Sequence, residues 1–231
     1  MTTARTLALL ALLVLAGCTA GRNFVRPTAD SVTLGTTTRA DVLQKYGQPS
    51  RQATATISFD SAQPAAAKGP FDVVLAAGSY VSLNYTFVER TPGLMSDSIN
   101  DRSVTFLFWN DKLVSYRFVS NFQQDSSNFD ESKLSALQRA KTTKADLEQL
   151  LGAPSGRSIY PFVQQQGQEI LAYGYEVIDL KTRERSAKGL QVLFAPDGTL
   201  VDYRFGSDAA PLPPPTGGSA PVYVPIITPK R

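Results

Sequence analysis

A fifteen-residue phrase is spelled twice in this chain, and that repetition restricts the fold to something built from two similar units. TTTRADVLQKYGQPS, residues 36–50, returns 105 positions later as KTTKADLEQLLGAPS, residues 141–155, with eight identical positions. Asn23-Phe24 recurs at the same offset as Asn128-Phe129. Each phrase reads as a helix with both ends marked. Thr38 with Asp41, and Thr143 with Asp146, place a hydroxyl at the N-cap and a carboxylate three residues on, a variant of the capping box. Val42 with Tyr46, and Leu147 with Leu150 and Leu151, form one apolar stripe. Gly47 and Gly152 suit the left-handed C-cap, and Pro49 and Pro154 forbid continuation. Helices this short depend on docking that stripe against something else.

Strands follow each helix. Val81, Leu83, Tyr85 and Phe87 alternate with polar residues in the first copy, as do Leu171, Tyr173, Tyr175 and Val177 in the second. Period-two alternation marks half-buried strands. Hairpins close the units at residues 103–118 and 190–205, with Asn110-Asp111 and Pro196-Asp197-Gly198 as turn chemistry. Earlier strands are expected at 53–59 and, more weakly signalled, at 158–163. A first helix is expected at 130–140, with a poorer counterpart at 28–34, where Pro27, two threonines and a serine lower the propensity. The first copy carries extra loop at 61–72. The fold class expected is therefore α+β, two tandem helix-helix-antiparallel-meander units with the helices on one sheet face. The divisions expected are 1–17 as a signal peptide, 18–23 as a tether, 24–122 and 123–206 as the two units, and 207–231 as a Pro-rich disordered tail.

The amino terminus carries an address. Arg5 precedes an apolar run at residues 7–16, the pattern of a secretory signal, and the run is too short for a membrane span of roughly 20 residues. LAGC, residues 15–18, resembles the lipobox of bacterial lipoproteins. That resemblance implies cleavage before Cys18, the chain's one cysteine, and lipidation there. Thr19 rather than Asp after the cysteine implies the outer membrane. The several acyl carbons of such an anchor, each worth roughly 0.8 kcal/mol on burial, would hold it there durably.

Composition narrows the function. The chain has 23 Lys+Arg against 20 Asp+Glu and no histidine. The near-balance, with no large basic patch, argues against nucleic acid. The absence of histidine removes the commonest metal ligand and general base together. No Ser-x-x-Lys occurs, and GAPSG at 152–156 sets Ser155 one position late for a nucleophile elbow, on a run that leaves a helix rather than entering one. A non-enzymatic protein without cofactor or metal is expected.

LGTTTRADVLQKYGQP followed by a meander ending FLFWNDKLVSYRF resembles the SmpA/OmlA (BamE)-type outer-membrane lipoprotein domain. The first copy inserts one extra Thr after Gly35, and the second has Ala140 in place of that glycine. Two such units in tandem are similar to the β-lactamase inhibitor protein (BLIP-like) architecture, in which the sheets join into one concave surface. The resemblance implies a protein-binding face on the side of the hairpins opposite the core, with Leu107, Trp109, Leu113 and Arg117 from the first copy and Arg204 from the second. Trp and Arg are the types most often found at interface hot spots. Trp109 adjoins a turn, where it either meets a partner or caps the sheet edge. The function expected is an outer-membrane, periplasm-facing scaffold that binds an envelope protein, the β-barrel assembly complex by resemblance. The alternatives are an inhibitor-like or ligand-binding lipoprotein and a structural tether. The apolar stretch 222–229 could add to a partner's sheet edge.

Overall fold

Period-two strands with one apolar face pair most simply with their chain neighbours, and nearly every strand here does so. The computed structural model describes residues 18–58, 69–73, 75–91 and 98–212. The signal peptide, most of the 61–72 loop and the tail beyond 212 lie outside the described residues. In chain order come β1 (Cys18–Ala20), α1 (Arg39–Tyr46), β2 (Arg51–Ile57), β3 (Gly78–Thr91), β4 (Ser98–Trp109) and β5 (Lys112–Ser120). A 3-10 helix (Glu131–Ala136) and α2 (Lys144–Leu151) follow, then β6 (Gly156–Ser158), β7 (Glu169–Asp179), β8 (Glu184–Phe194) and β9 (Leu200–Pro211). All strands belong to one antiparallel sheet in the order β3-β4-β5-β6-β7-β8-β9, with β1 and β2 sharing the outer edge of β3.

This sheet-dominated architecture overturns the expected pair of helix-helix-meander units. Residues 28–34 form turns rather than a helix, with Ser31 and Val32 both donating to the Thr28 carbonyl. Residues 130–140 contain only the six-residue 3-10 helix. Its one buried residue, Leu134, and the C-cap Leu137 are three apart, and that spacing suits the tighter helix. The three-residue β6 joins the halves: Tyr116 pairs with Arg157, and Arg157 with Leu171. The expected unit boundary at 206/207 falls inside β9, which runs on to Pro211.

The repeated phrase is a docking device, and most of its identical positions have the same job in both copies. Thr38 and Thr143 each close a full capping box with Asp41 and Asp146. The preceding Thr37 and Thr142 accept hydrogen bonds through Oγ1 from the Thr33 and Gln138 backbone, at 2.8 and 2.9 Å. Gly47 and Gly152 take φ of 79° and 81° and leave their carbonyls to the hydroxyls of Tyr85 and Tyr173, each at 2.9 Å. Ser50 and Ser155 accept from the Thr86 and Gly174 N–H groups of β3 and β7. Val42, Tyr46 and Leu147 are almost wholly buried against the sheet, each contributing about 1.5–3 kcal/mol that an eight-residue helix could not supply alone. Thr38→Ala and Thr143→Ala should each lower stability by about 1 kcal/mol, read as matching shifts of the urea midpoint. Unequal shifts would mean that the two caps are not equivalent.

Each closing hairpin contains a bulge at the same place. Leu107 pairs with Ser115 and Phe108 with Leu113, leaving Val114 extra; Leu193 pairs with Asp202 and Phe194 with Leu200, leaving Val201 extra. The bulge turns Leu113 and Leu200 into the core. Their backbone groups bond to the residues leading each helix: Leu113 donates to Thr37 and accepts from Gly35, and Leu200 donates to Thr142 and accepts from Ala140. Ala140 accordingly keeps the left-handed conformation of Gly35, with φ of 57° against 76°.

Two apolar clusters lie on the helix side, one per half. Phe24 anchors the first, edge-on to Tyr46, Tyr85 and Phe118. Phe129 does the same in the second, against Tyr173 and Phe205. A cation holds each phenylalanine, buried in the first half and half-buried in the second. Arg102 donates to the Phe24 carbonyl at 2.6 Å, and Lys188, at the matching register position, donates to the Phe129 carbonyl at 2.6 Å.

Candidate functional site

With the helices on one face, the other face of the sheet is left to short polar side chains. One cross-strand row reads Asn84, Thr105, Arg117, Gly156, Ala172, Gln191 and Arg204. Thr105 donates to Asn84 at 2.6 Å, and the Asn84 amide donates to Ser82 at 3.1 Å. Ser115 and Ser158 share a hydrogen bond of 2.7 Å. The next row on β7–β9 is Gly174, Gly189 and Gly206 in register, a shallow recess with no side chains.

Arg117 lies along that recess. A Cβ placed on Gly174 would sit 3.1 Å from Nη2, 3.4 Å from Nε and 3.7 Å from Cζ, so the Nε–Nη2 edge of the guanidinium closes on the glycine. A glycine inside a strand often marks such a close approach. Burial lowers the Arg117 pKa, partly opposed by Glu176 and reinforced by Arg185. Glu176 is itself gripped by Arg185 through two bonds of 2.9 and 2.7 Å, and Arg185 reaches Asp208 at 4.0 Å. Asp101 completes this charged band across the strands: burial first, then Glu176, pushes its carboxyl up to about 6.

At the hairpin end two loops, residues 69–73 with 75–77 and residues 159–168, fold over the same face. Val163, Ile170 and Leu193 form a third apolar cluster there, with Phe71 and Tyr160 packed against it. Gln164 ties the loops together by donating to the Gly69 carbonyl at 2.5 Å.

Of the six residues singled out from the sequence, four share this face. Leu107 and Arg117 are half-buried on its floor. Trp109 forms its wall: the indole N–H donates to the Ala77 carbonyl at 3.1 Å, and the ring meets Tyr160 edge-on at 5.6 Å. Arg204 donates to Gln191 at 2.6 Å and lies 5.0 Å from the Phe71 ring centroid, so it carries the 69–73 loop. Leu113 is not on this face. The bulge buries it completely on the helix side, and it cannot meet a partner. Cys18 is remote from the row and opens β1, opposite Arg90 of β3.

Sequence reasoning missed the residues that shape the recess. Gly174 interrupts an otherwise apolar-aromatic strand, which was a usable signal. The glycine register could not be read before the pairing was known. Chemically the face is suited to contact. Its paired serines bond to each other, and among the described residues no group of three or more His, Cys, Asp or Glu side chains is placed to hold a metal ion.

No family model matches the chain, and no curated protein matches it in sequence. Among solved structures it is similar to a crystal structure from Streptococcus mutans provisionally named a β-lactamase inhibitor protein. The two share 10% identity with a TM-score of 0.41, over 76% of this chain and 91% of that one.

Proposed function

We propose that this chain is a non-enzymatic lipoprotein, anchored to the outer membrane through lipid on Cys18, that binds another envelope protein on its helix-free sheet face. The observation that carries the reading is Arg117, its Nε–Nη2 edge closed against Gly174 at the centre of a floor of short, mutually bonded polar side chains. A cation fixed in place before binding loses little conformational freedom on contact, and arginine is enriched where few residues carry most of the affinity. Arg117 fills the glycine row at Gly174, and the row's half-buried end at Gly206 is where a partner's side chain would approach the backbone. The SmpA/OmlA-type resemblance of the repeated phrase points to the β-barrel assembly machinery as the partner.

The test is affinity isolation of the full-length lipoprotein from mildly solubilised envelopes, beside Arg117→Ala and Trp109→Ala. Recovery of barrel-assembly components should fall about tenfold or more with Arg117→Ala, the scale of a hot-spot loss. Trp109→Ala should act more weakly, because that side chain holds a loop rather than the floor. A single different partner, sensitive to the same substitutions, would favour the inhibitor-like alternative. Partners indifferent to both substitutions, or none, would remove this face from consideration. Cys18→Ala should abolish palmitate incorporation and release the protein from the membrane fraction.

A further inference from the structure

The duplication makes each half a template for the other, and at one place the second half lacks what the first contains. In the first half Phe122, two residues beyond Ser120, folds back over the sheet and stacks on Phe87, with ring centroids 5.8 Å apart and planes at 21°. Arg102 lies over the same ring at 4.2 Å. The registers Phe87 with Arg102 and Arg102 with Ser120 are repeated as Tyr175 with Lys188 and Lys188 with Ser207. Two residues beyond Ser207, the position of Phe122 is taken by Ala209. Instead of folding back, the chain continues straight in β9 to Pro211. The volume of the missing ring is left as a pocket of about 360 Å³ lined by Tyr175, Val177, Ser186, Lys188, Ser207 and Ala209.

We propose that this pocket receives the C-terminal segment of the same chain, with Tyr223 supplying the ring that Phe122 supplies in the first half. The described chain leaves β9 at Leu212, three residues past the pocket-lining Ala209. Tyr223 is the one aromatic residue after Phe205 and is flanked by Val222 and Val224. Ten residues lie between Leu212 and Tyr223, and the eleven steps give a reach of up to about 36 Å. Gly217-Gly218, between them, supply the freedom for a reversal of direction. The pocket matches the ring: Tyr175 presents an aromatic face as Phe87 does, and Lys188 provides the cation that Arg102 provides, already 4.9 Å from the Phe129 ring centroid. A self-docked tail would cover the apolar end of the second half and keep the stretch 222–229 from adding to other sheets.

The decisive experiment places a photoreactive phenylalanine at position 223 of the full-length mature protein and maps crosslinks by mass spectrometry. Crosslinks within one molecule to residues 175–177, 186–188 or 207–209 are expected. Ala209→Phe, which rebuilds the first half's clamp, should reduce them at least fivefold. Ser186→Phe fills the pocket from the neighbouring strand and serves the same purpose if the first variant misfolds. Crosslinks to the outer edge of β9, to a second molecule or to another protein would overturn the proposal. So would crosslinks at the pocket that neither filling substitution diminishes.

Discussion

Arg102→Ala should lower the unfolding free energy by about 3–5 kcal/mol, whereas Lys188→Ala, at the matching position, should cost about 1 kcal/mol. The two cations hold the same carbonyl in the two halves but stand in different surroundings. The Arg102 side chain is only 5% exposed, and it pairs with Asp125, itself 14% exposed, at 3.3 Å. It also bonds to the Phe24 carbonyl and to Asn23, and lies over Phe122. Removing it leaves the half-buried Asp125 carboxylate with only the Ser120 hydroxyl and strands the Phe24 carbonyl, and a group left buried without its partner is penalised far more than an exposed one. Lys188 pairs with Glu131, which is 51% exposed, so water takes the place of the lost partner. Arg102 is not fully satisfied, since Nε and Nη2 have no hydrogen-bond partner, and this pulls the expected loss toward the lower end of the range. Arg102→Lys, which imports the second half's residue, should fall between the two. Urea midpoints at constant slope give the three numbers. Equal losses for Arg102→Ala and Lys188→Ala would show that the carbonyl contact alone, not its burial, sets the cost.

What could be read from the sequence was what local chemistry decides. Thr38 with Asp41, and Thr143 with Asp146, specify their helix starts through bonds spanning a few residues, and those capping boxes form as expected. Gly47 and Gly152 end their helices at positive φ but with ψ of −155° and −174°, instead of in the left-handed helical region. The long strands β3 and β7 follow from alternation, which sheet burial imposes directly. Leu113 shows where that logic stops. Counting parity from Phe106 through the turn places it on the open face, but one unpaired residue, Val114, reverses the count. The expected helix at 130–140 failed for a related reason: its propensity was adequate, but only Leu134 and Leu137 find core to bury, and tertiary packing decides short helices. β6 is too short to show any period, yet it merges two sheets into one. Of the candidate face, Arg117, Trp109 and Arg204 were legible as types and positions. That Trp109 and Arg204 hold loops while Arg117 rests on Gly174 depends on contacts far apart in the chain.

Asp101→Asn should stabilise the protein by about 2–3 kcal/mol at pH 7.5 and leave its stability unchanged near pH 3.5. Burial and the neighbouring Glu176 push the Asp101 carboxyl up to about 6 from its ordinary value of 3.8. A shift of that size corresponds to roughly 3 kcal/mol between the two protonation states. The sign follows from which state holds the proton. Between about pH 4 and 6 the folded protein binds a proton at Asp101 that the unfolded chain releases, so stability falls as pH rises through that window. Above it the penalty is complete, and below it both states are protonated and nothing is lost. Asparagine keeps the shape without the charge, so the difference between variant and parent should grow from near zero to its full value across the same window. Urea unfolding at half-unit steps from pH 3.5 to 7.5 measures it. A constant difference at every pH would assign the gain to packing instead of ionisation. Glu176 and Asp208 stand in one row of the candidate face through Ala187, with Arg185 and Arg117 beside them and Asp101 within reach of the Glu176 charge. A partner that brings a cation to this row would restore the ionised Asp101, so its binding should strengthen as pH rises through 6, opposite in sign to the change in stability.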